Sequence, residues 1–225
     1  MPFTDEILSY IDSKCLELGA TDATITKYAK MKYPRVLPMF KISTHRYYLE
    51  DFGTVMVMST SAMGGLMKLV TASFTPFEGK NVPYLLVDCM HMLKTSLAYV
   101  EYYNCTSQDL DSRELDSVAT KYASVPDYSE KPAWYISERM PCSLIKGGKG
   151  VDSGPLVQMV KDSVDAYLKC VAEASSDSNN VVGLKEFQRR MIKEGNPSQP
   201  TMRKVLGDEG ADEFFCSYVM PMGLK

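Results

Sequence analysis

The segment Val82-Pro83-Tyr84-Leu85-Leu86-Val87-Asp88-Cys89-Met90 is the most apolar strand-like stretch of the chain. A strand that is apolar on both faces is normally covered on both, so we expect a central strand with helices on either side. Asp88 interrupts the apolar run, and burial would raise the pKa of its carboxyl group. Asp88 is therefore a candidate proton donor near neutral pH. The alternative is a strand-end Asp that caps a turn or pairs with a lysine.

Further strand-like segments surround this stretch and follow one another through short turns. They cover residues 36–43, 45–51, 54–60, 66–74, 83–90, 95–103 and 134–146, the last of them broken at Pro141. Parallel neighbours would need crossovers of about a dozen residues or more. The short turns therefore predict an antiparallel sheet.

Helical spacing of apolar residues appears before, between and after these strands. The first predicted helix begins at Thr4, and the second covers 107–124. After a flexible loop at 147–150, a third begins at Asp152 or Ser153 and is followed by a polar linker at 175–180. A fourth begins at Leu184, and short helical pieces cover 202–206 and 208–218. This order predicts the α/β class, as a three-layer α/β/α sandwich whose central antiparallel sheet is flanked by helices. We expect residues 1–225 to form a single domain.

Composition excludes several classes of function. The formal charge is −3 over 225 residues, which argues against a nucleic-acid partner. No apolar run approaches the roughly 18–20 residues of a membrane helix, so we expect no membrane partner. The first residues lack the basic-then-apolar pattern of a signal peptide. We therefore expect a cytoplasmic protein, or one of the plastid stroma if the organism is photosynthetic and a transit peptide is missing from the sequence.

Cysteine and histidine usage leaves little room for a metal site. The six cysteines are scattered without a C-x-x-C pair, and there are only two histidines, His45 and His91. We expect no metal, and free buried thiols in place of disulfides. In contrast, the chain has 15 Met and 14 Tyr, which favour an adaptable interior with polar groups.

One segment is basic in an otherwise acidic protein. Residues 185–204 contain only two acids. The same segment has six basic side chains, which are Lys185, Arg189, Arg190, Lys193, Arg203 and Lys204. Such a patch could attract an acidic partner protein, although a solvated helix face explains it equally well.

Several landmarks resemble the ferredoxin-dependent bilin reductases, and more loosely the red chlorophyll catabolite reductases. Phe74-Thr75-Pro76, a turn, and then the strand that leads to Asp88 are similar to the family's segment ending in its pocket Asp. Residues 96–103 resemble its next core strand and residues 134–137 its later Trp-containing strand. Residues 202–215 resemble its closing helix and tail.

The resemblance implies a linear tetrapyrrole held between the sheet and the C-terminal helices. Its reduction would use single electrons from ferredoxin and protons from the protein, with no bound cofactor. Asp88 and Asp152 would be the catalytic acids, and the basic patch would dock ferredoxin. The implied substrate contacts are Thr71, Phe74, Leu86, Met90, Arg139 and Ser137. The cation that would bind the propionate groups of the tetrapyrrole is Arg46, Arg139 or Lys146.

The sequence also departs from the family pattern. Some bilin reductases have a His where this chain has Thr71, and a hydroxyl group cannot replace an imidazole as an acid. The leading hypothesis is a ferredoxin-dependent reductase of a biliverdin-like bilin. The alternatives are a non-catalytic tetrapyrrole carrier or chaperone, a flavin- or redox-partner enzyme on a similar sandwich, and a structural interaction protein.

Overall fold

A single antiparallel sheet forms the centre of the fold. The computed structural model describes residues 2–34, 36, 39–106, 109–176 and 182–221. Within these residues the strands are β1 Thr21–Asp22, β2 Lys30–Tyr33, β3 Phe40–Leu49, β4 Gly53–Ala62, β5 Met67–Pro76, β6 Tyr84–Met92, β7 Thr95–Tyr103 and β8 Leu144–Lys149. The order across the sheet is β1-β3-β4-β5-β6-β7-β8, and β2 also pairs with β3. Every neighbouring pair is antiparallel, as the short turns predict.

Helices cover both faces of this sheet. They are α1 Phe3–Glu17, α2 Thr26–Ala29, α3 Arg113–Lys121, α4 Ser153–Glu173, α5 Val182–Lys193, α6 Gln199–Leu206 and α7 Asp208–Phe214, with a π-helical turn at Phe215–Val219. One hydrophobic cluster joins the sheet to α1, α3 and α4, and a second joins it to α2 and the C-terminal helices. The predicted three-layer α/β/α sandwich is therefore confirmed.

Strand β6 shows why two helical layers are needed. Leu85, Val87 and Cys89 are buried in the cluster beneath α1 and α4. Tyr84 and Leu86, which alternate with them, pack in the second cluster. Because successive side chains point to opposite faces, Asp88 lies on the same face as Leu86. The strand is apolar on both faces, as expected, and Asp88 belongs to the face covered by the C-terminal helices.

The first half of the sheet differs from the prediction. Residues 36–43 and 45–51 do not form two strands, because β3 runs unbroken through Thr44. The Thr44 hydroxyl is buried and donates to the carbonyl oxygen of Tyr28, so this polar residue sits in the strand without a break. The short strands β1 and β2 were not predicted, because their sequences lack clear alternation. Positions 37 and 38 of the predicted strand 36–43 lie outside the described residues, as does position 35.

The predicted strand 134–146 is wrong over most of its length. Trp134–Glu138 forms a 3-10 helix, and β8 begins only at Leu144. Conversely, Gly147 and Gly148 were predicted in a loop but belong to β8. A Cβ at Gly147 would lie 2.2 Å from the carbonyl oxygen of Ser96, and its φ is +123°. The glycine therefore lets β8 approach β7 closely, which a loop pattern does not reveal.

The helix ends differ from the predictions in smaller ways. Thr4 does not cap α1: the helix begins at Phe3 with Pro2 at the N-cap, and Thr4 is buried. The helix predicted over 107–124 is shorter, Arg113–Lys121, and the positions 107 and 108 lie outside the described residues. Positions 177–180 of the predicted linker also lie outside the described residues. Ser176, just before them, forms a β-bridge with Lys80.

All six cysteines are free thiols, but only Cys15, Cys89 and Cys142 are buried as predicted; Cys105, Cys170 and Cys216 are half-buried. No helix among the described residues has the length and apolar character needed to cross a membrane. Over the same residues, no group of three or more His, Cys, Asp and Glu side chains is arranged to hold a metal ion.

Candidate functional site

A cavity of about 440 Å³ lies between the sheet, the connection from β7 to β8, and the C-terminal helices α5 and α6. Its floor is formed by β3 to β7, and its other walls come from residues 128–139 and 191–202. This volume is within the range of small-molecule sites. A second cavity of about 40 Å³ adjoins it and shares Thr71, Leu86 and Asp88.

Methionine and tyrosine supply much of the lining. The methionines are Met58, Met67, Met90, Met191 and Met202, and the tyrosines are Tyr99, Tyr103, Tyr128 and Tyr135. Methionine adapts its shape to an apolar ligand, and tyrosine combines a flat ring with a polar hydroxyl group. Five of the 15 methionines and four of the 14 tyrosines in the sequence therefore line this cavity.

Asp88 lies in the floor of the cavity. In the register of β5 and β6 it is opposite Thr71, whose hydroxyl donates a hydrogen bond to Oδ1 of Asp88. Burial raises the pKa of Asp88 to about 6, and the Thr71 hydrogen bond opposes that rise. Asp88 as a residue is half-buried and lines the cavity. Asp88 can therefore exchange a proton with a ligand near neutral pH.

Glu101 is a second acid in the same cavity, and the sequence reasoning did not single it out. Leu86 pairs with Glu101 and Asp88 with Tyr99, so the two acids are diagonal neighbours on one face of β6 and β7. Glu101 is only 4% exposed. Burial raises its pKa to about 7, with Asp88 adding to the rise and the Arg139 guanidinium opposing it. The sequence did contain a sign of this position, because strand alternation places Glu101 on the same face of β7 as Tyr99.

Arg139 holds Glu101 in place. Its guanidinium forms ion pairs with both Glu101 and Glu130, and its side chain is 7% exposed. The Tyr103 hydroxyl also donates to Glu101, at 2.9 Å. Arg139 lines the cavity, but two acidic side chains already pair with it. Little of the positive charge of Arg139 is therefore left for a ligand carboxylate.

The remaining predicted site residues are divided between the two faces. Leu86 and Met90 line the cavity. Phe74 does not: it lies on the opposite face, where its ring packs edge-on against Tyr167 of α4. Ser137 is exposed outside the cavity and donates to the carbonyl oxygen of Trp134.

Asp152, the predicted second acid, is not in this cavity. It is the N-cap of α4, where its carboxylate accepts a hydrogen bond from the amide of Gly154 at 3.1 Å. Helix α4 packs against the other face of the sheet. Asp152 therefore caps a helix, which is an ordinary role for an Asp at this position. The second acid that lines the cavity beside Asp88 is Glu101.

The two other candidate cations for propionates are also occupied elsewhere. Arg46 donates to the carbonyl oxygens of Ala23 and Ser217. Lys146 is buried and pairs with Asp127 at 2.6 Å. Lys131, in contrast, is exposed, lines the cavity and has no ion pair among the described residues.

The basic segment is largely neutralised by acids from other elements. Lys185 pairs with Glu78, and Arg190 with Glu138 and Glu194. Arg189 and Arg203 also have carboxylate partners. Of the six predicted cations, only Lys193 and Lys204 have no ion pair within the described part of the chain. The local excess of charge in the sequence is therefore mostly compensated in the fold.

Comparison with known proteins gives a relation at the level of structure. No family model matches the sequence, and no curated protein matches it either. Among solved structures, the fold matches phytochromobilin synthase from tomato in complex with biliverdin, with a TM-score of 0.76. The two chains share one fold. The match covers 94% of this chain and 82% of that one at 10% sequence identity, so the resemblance seen in the sequence is confirmed for the fold.

Proposed function

We propose that this protein binds a linear tetrapyrrole in the cavity beside Asp88 and reduces it with electrons from reduced ferredoxin. The observation that carries the proposal is Asp88 itself. Its carboxyl group has a pKa of about 6 in a cavity lined with methionine and tyrosine. The fold around it is also that of a synthase solved with biliverdin.

The cavity suits a large, flat, largely apolar ligand with a few N–H groups. The methionine and tyrosine side chains offer apolar contact and ring stacking. The Asp88 carboxylate accepts hydrogen bonds from the pyrrole N–H groups when ionised, and it donates a proton when protonated. One residue thus both orients the ligand and supplies its proton.

Reduction of one double bond requires two electrons and two protons. In the proposal ferredoxin delivers the electrons singly, without a cofactor bound to the protein. In the proposal Asp88 gives the first proton, and Glu101, with a pKa of about 7, supplies the second from the neighbouring strand. Solvent then reprotonates both carboxylates. Arg139 positions Glu101, and its other partner, Glu130, keeps the guanidinium fixed.

Lys131 is the cation that we assign to a ligand propionate. It lines the cavity and is exposed, and it has no ion pair among the described residues. Arg139 is a poorer choice because Glu101 and Glu130 already balance its charge. For an acidic ferredoxin, the available cations of the predicted docking patch are Lys193 and Lys204.

The test is anaerobic turnover of biliverdin with reduced ferredoxin, comparing the wild type with Asp88→Asn. We expect the variant to bind biliverdin and to lose turnover. Binding can be followed by quenching of the single tryptophan, Trp134, which adjoins the cavity residue Tyr135. Asp51→Asn, at an exposed turn, is the matched control. Unchanged turnover in Asp88→Asn would remove Asp88 from the mechanism.

A second candidate function is a tetrapyrrole carrier without reductase activity. It is favoured by Thr71, which places a hydroxyl group, and no titrating side chain, directly beside Asp88. The same experiment separates the two functions. Tight biliverdin binding with no spectral change after reduced ferredoxin is added would favour the carrier.

A further inference from the structure

One end of the sheet has large apolar side chains that the described chain leaves uncovered. Met39, Met63, Leu66 and Leu93 are 59%, 57%, 55% and 67% exposed. They lie in the connections at the start of β3, between β4 and β5, and between β6 and β7. We call these four residues the apolar rim.

Backbone hydrogen bonds show that the rim is continuous. The amide of Met63 donates to the carbonyl oxygen of Met39 at 3.2 Å, and the amide of Leu93 to that of Leu66 at 3.4 Å. Beyond Leu93, the amide of Gly150 donates to Lys94 at 2.7 Å. The separate connections thus lie side by side along one end of the sheet.

Two rim residues have a backbone conformation that disfavours their side chains. Met63 has a φ of 53° and Leu93 a φ of 55°, and they are the non-glycine residues with positive φ among those described. Gly and Asn adopt this left-handed region more readily than Met or Leu. The fold therefore gains nothing from apolar side chains here, since they are strained and exposed. Exposed apolar side chains that lie together typically mark a contact with a partner or a membrane.

The rim also has unneutralised positive charge. Lys41, Lys94 and Lys149 are exposed at this end of the sheet and have no ion pair among the described residues. Of the nearby acids, Asp5 pairs with Lys68. Asp152 keeps its charge but caps α4 at the positive end of the helix dipole, so the three lysines still leave an excess of positive charge. A protein with a net charge of −3 thus presents a cationic, apolar end.

We propose that the apolar rim and these three lysines bind the surface of an anionic lipid membrane. Apolar side chains at protruding turns enter the boundary between head groups and acyl chains, while lysines contact anionic head groups. A lipid surface suits the rim better than a protein does. The four apolar residues are spread over three neighbouring connections with exposed lysines among them, whereas the core of a protein interface is depleted in lysine.

This inference goes beyond the proposed function and does not rest on it. The sequence predicted no membrane partner because no segment is apolar enough to span a membrane. Binding at the membrane surface requires no such segment. Phe40 and Met67 line the cavity and directly follow Met39 and Leu66. The cavity thus extends to the rim, so a membrane-bound protein would hold its cavity beside the lipid.

The experiment is co-sedimentation of the full chain with phosphatidylcholine vesicles and with vesicles of equal parts phosphatidylcholine and phosphatidylserine. We expect binding to the anionic vesicles only. Met63→Asn with Leu93→Asn should weaken it at least about tenfold. Asn suits positive φ, so this variant should keep its thermal stability. The control is Leu16→Asn with Leu18→Asn, equally exposed residues near the far end of α1, which should bind like the wild type.

The charge is tested by Lys41→Gln, Lys94→Gln and Lys149→Gln, each expected to weaken binding about fivefold. Lys169→Gln, in α4, is the control. The proposal is overturned if the wild type does not bind anionic vesicles, if it binds neutral vesicles equally well, or if the control variants lose as much binding as the rim variants. Biliverdin turnover in solution should be unchanged in the rim variants, so the two proposals fail separately.

Discussion

Thr71 and Asp88 lie opposite each other in β5 and β6, and the Thr71 hydroxyl donates a hydrogen bond to Oδ1 of Asp88. This bond favours the ionised carboxylate and so limits the pKa rise caused by burial. Thr71→Val removes the donor while keeping the shape of the side chain. We expect the pKa of Asp88 to rise above 6 by about one unit. An NMR titration of the carboxyl carbon measures it.

Thr71→Ser is the control for that experiment, because it keeps the hydroxyl group. Its Asp88 should titrate close to the wild-type value. If Thr71→Val also titrated like the wild type, the hydrogen bond would have no influence on Asp88.

Asp88→Asn should change how stability depends on pH. The folded-state pKa of Asp88, about 6, is above its ordinary value of 3.8. The folded protein therefore holds the proton more tightly, and wild-type stability is lost as the pH rises from about 4 to 6. Asn carries no such penalty. Above pH 6 we expect the variant to be more stable by up to about 3 kcal/mol, with little difference at pH 4.

Urea unfolding at pH 4 and pH 8 measures this difference. Asp51→Asn serves as the control, because Asp51 is exposed and lies in a turn. A wild type that is more stable than Asp88→Asn at pH 8 would contradict the assignment of a destabilising buried charge.

The sequence was sufficient for the features that depend on local pattern. Short turns between strands require antiparallel pairing, and the apolar strand around Asp88 requires cover on both faces, so the sandwich could be predicted. Strand alternation also places Asp88 and His91 on opposite faces. His91 indeed packs near Phe3 of α1, away from the cavity.

The errors at the site have specific physical causes. Phe74 is three residues from Thr71, and an odd spacing puts the two on opposite faces, so the pattern itself argued against their sharing a pocket. The Glu101–Arg139–Glu130 cluster could not be predicted, because it joins β7 to a segment whose 3-10 helix was predicted to be a strand. Neutralisation of the basic segment by Glu78 and Glu138 likewise depends on contacts between distant parts of the chain.

Arg139→Met should destabilise the protein strongly. It leaves Glu101 buried without its cation, and breaking one side of a buried ion pair costs about 3–5 kcal/mol. Urea unfolding at pH 8 measures the loss. The double variant Arg139→Met with Glu101→Gln should recover part of it, because no unpaired charge remains on β7.

The exposed pair Arg113 and Asp111 provides the comparison for that measurement. Arg113→Met should leave the unfolding midpoint unchanged, since solvent screens this pair. Equal losses for Arg113→Met and Arg139→Met would show that burial of the Glu101 pair does not matter.

Gly147→Ala tests how β8 is joined to the sheet. A Cβ at this position would lie 2.2 Å from the carbonyl oxygen of Ser96, and the φ of +123° already strains any other residue. The two effects together should cost about 3 kcal/mol or more, seen as a lower urea midpoint. Gly150→Ala has a positive φ of +76° but no atom within 4 Å of its Cβ, so it should cost only about 1 kcal/mol. Similar costs for both variants would mean that conformation, and not the close approach of β7 and β8, explains the glycine at 147.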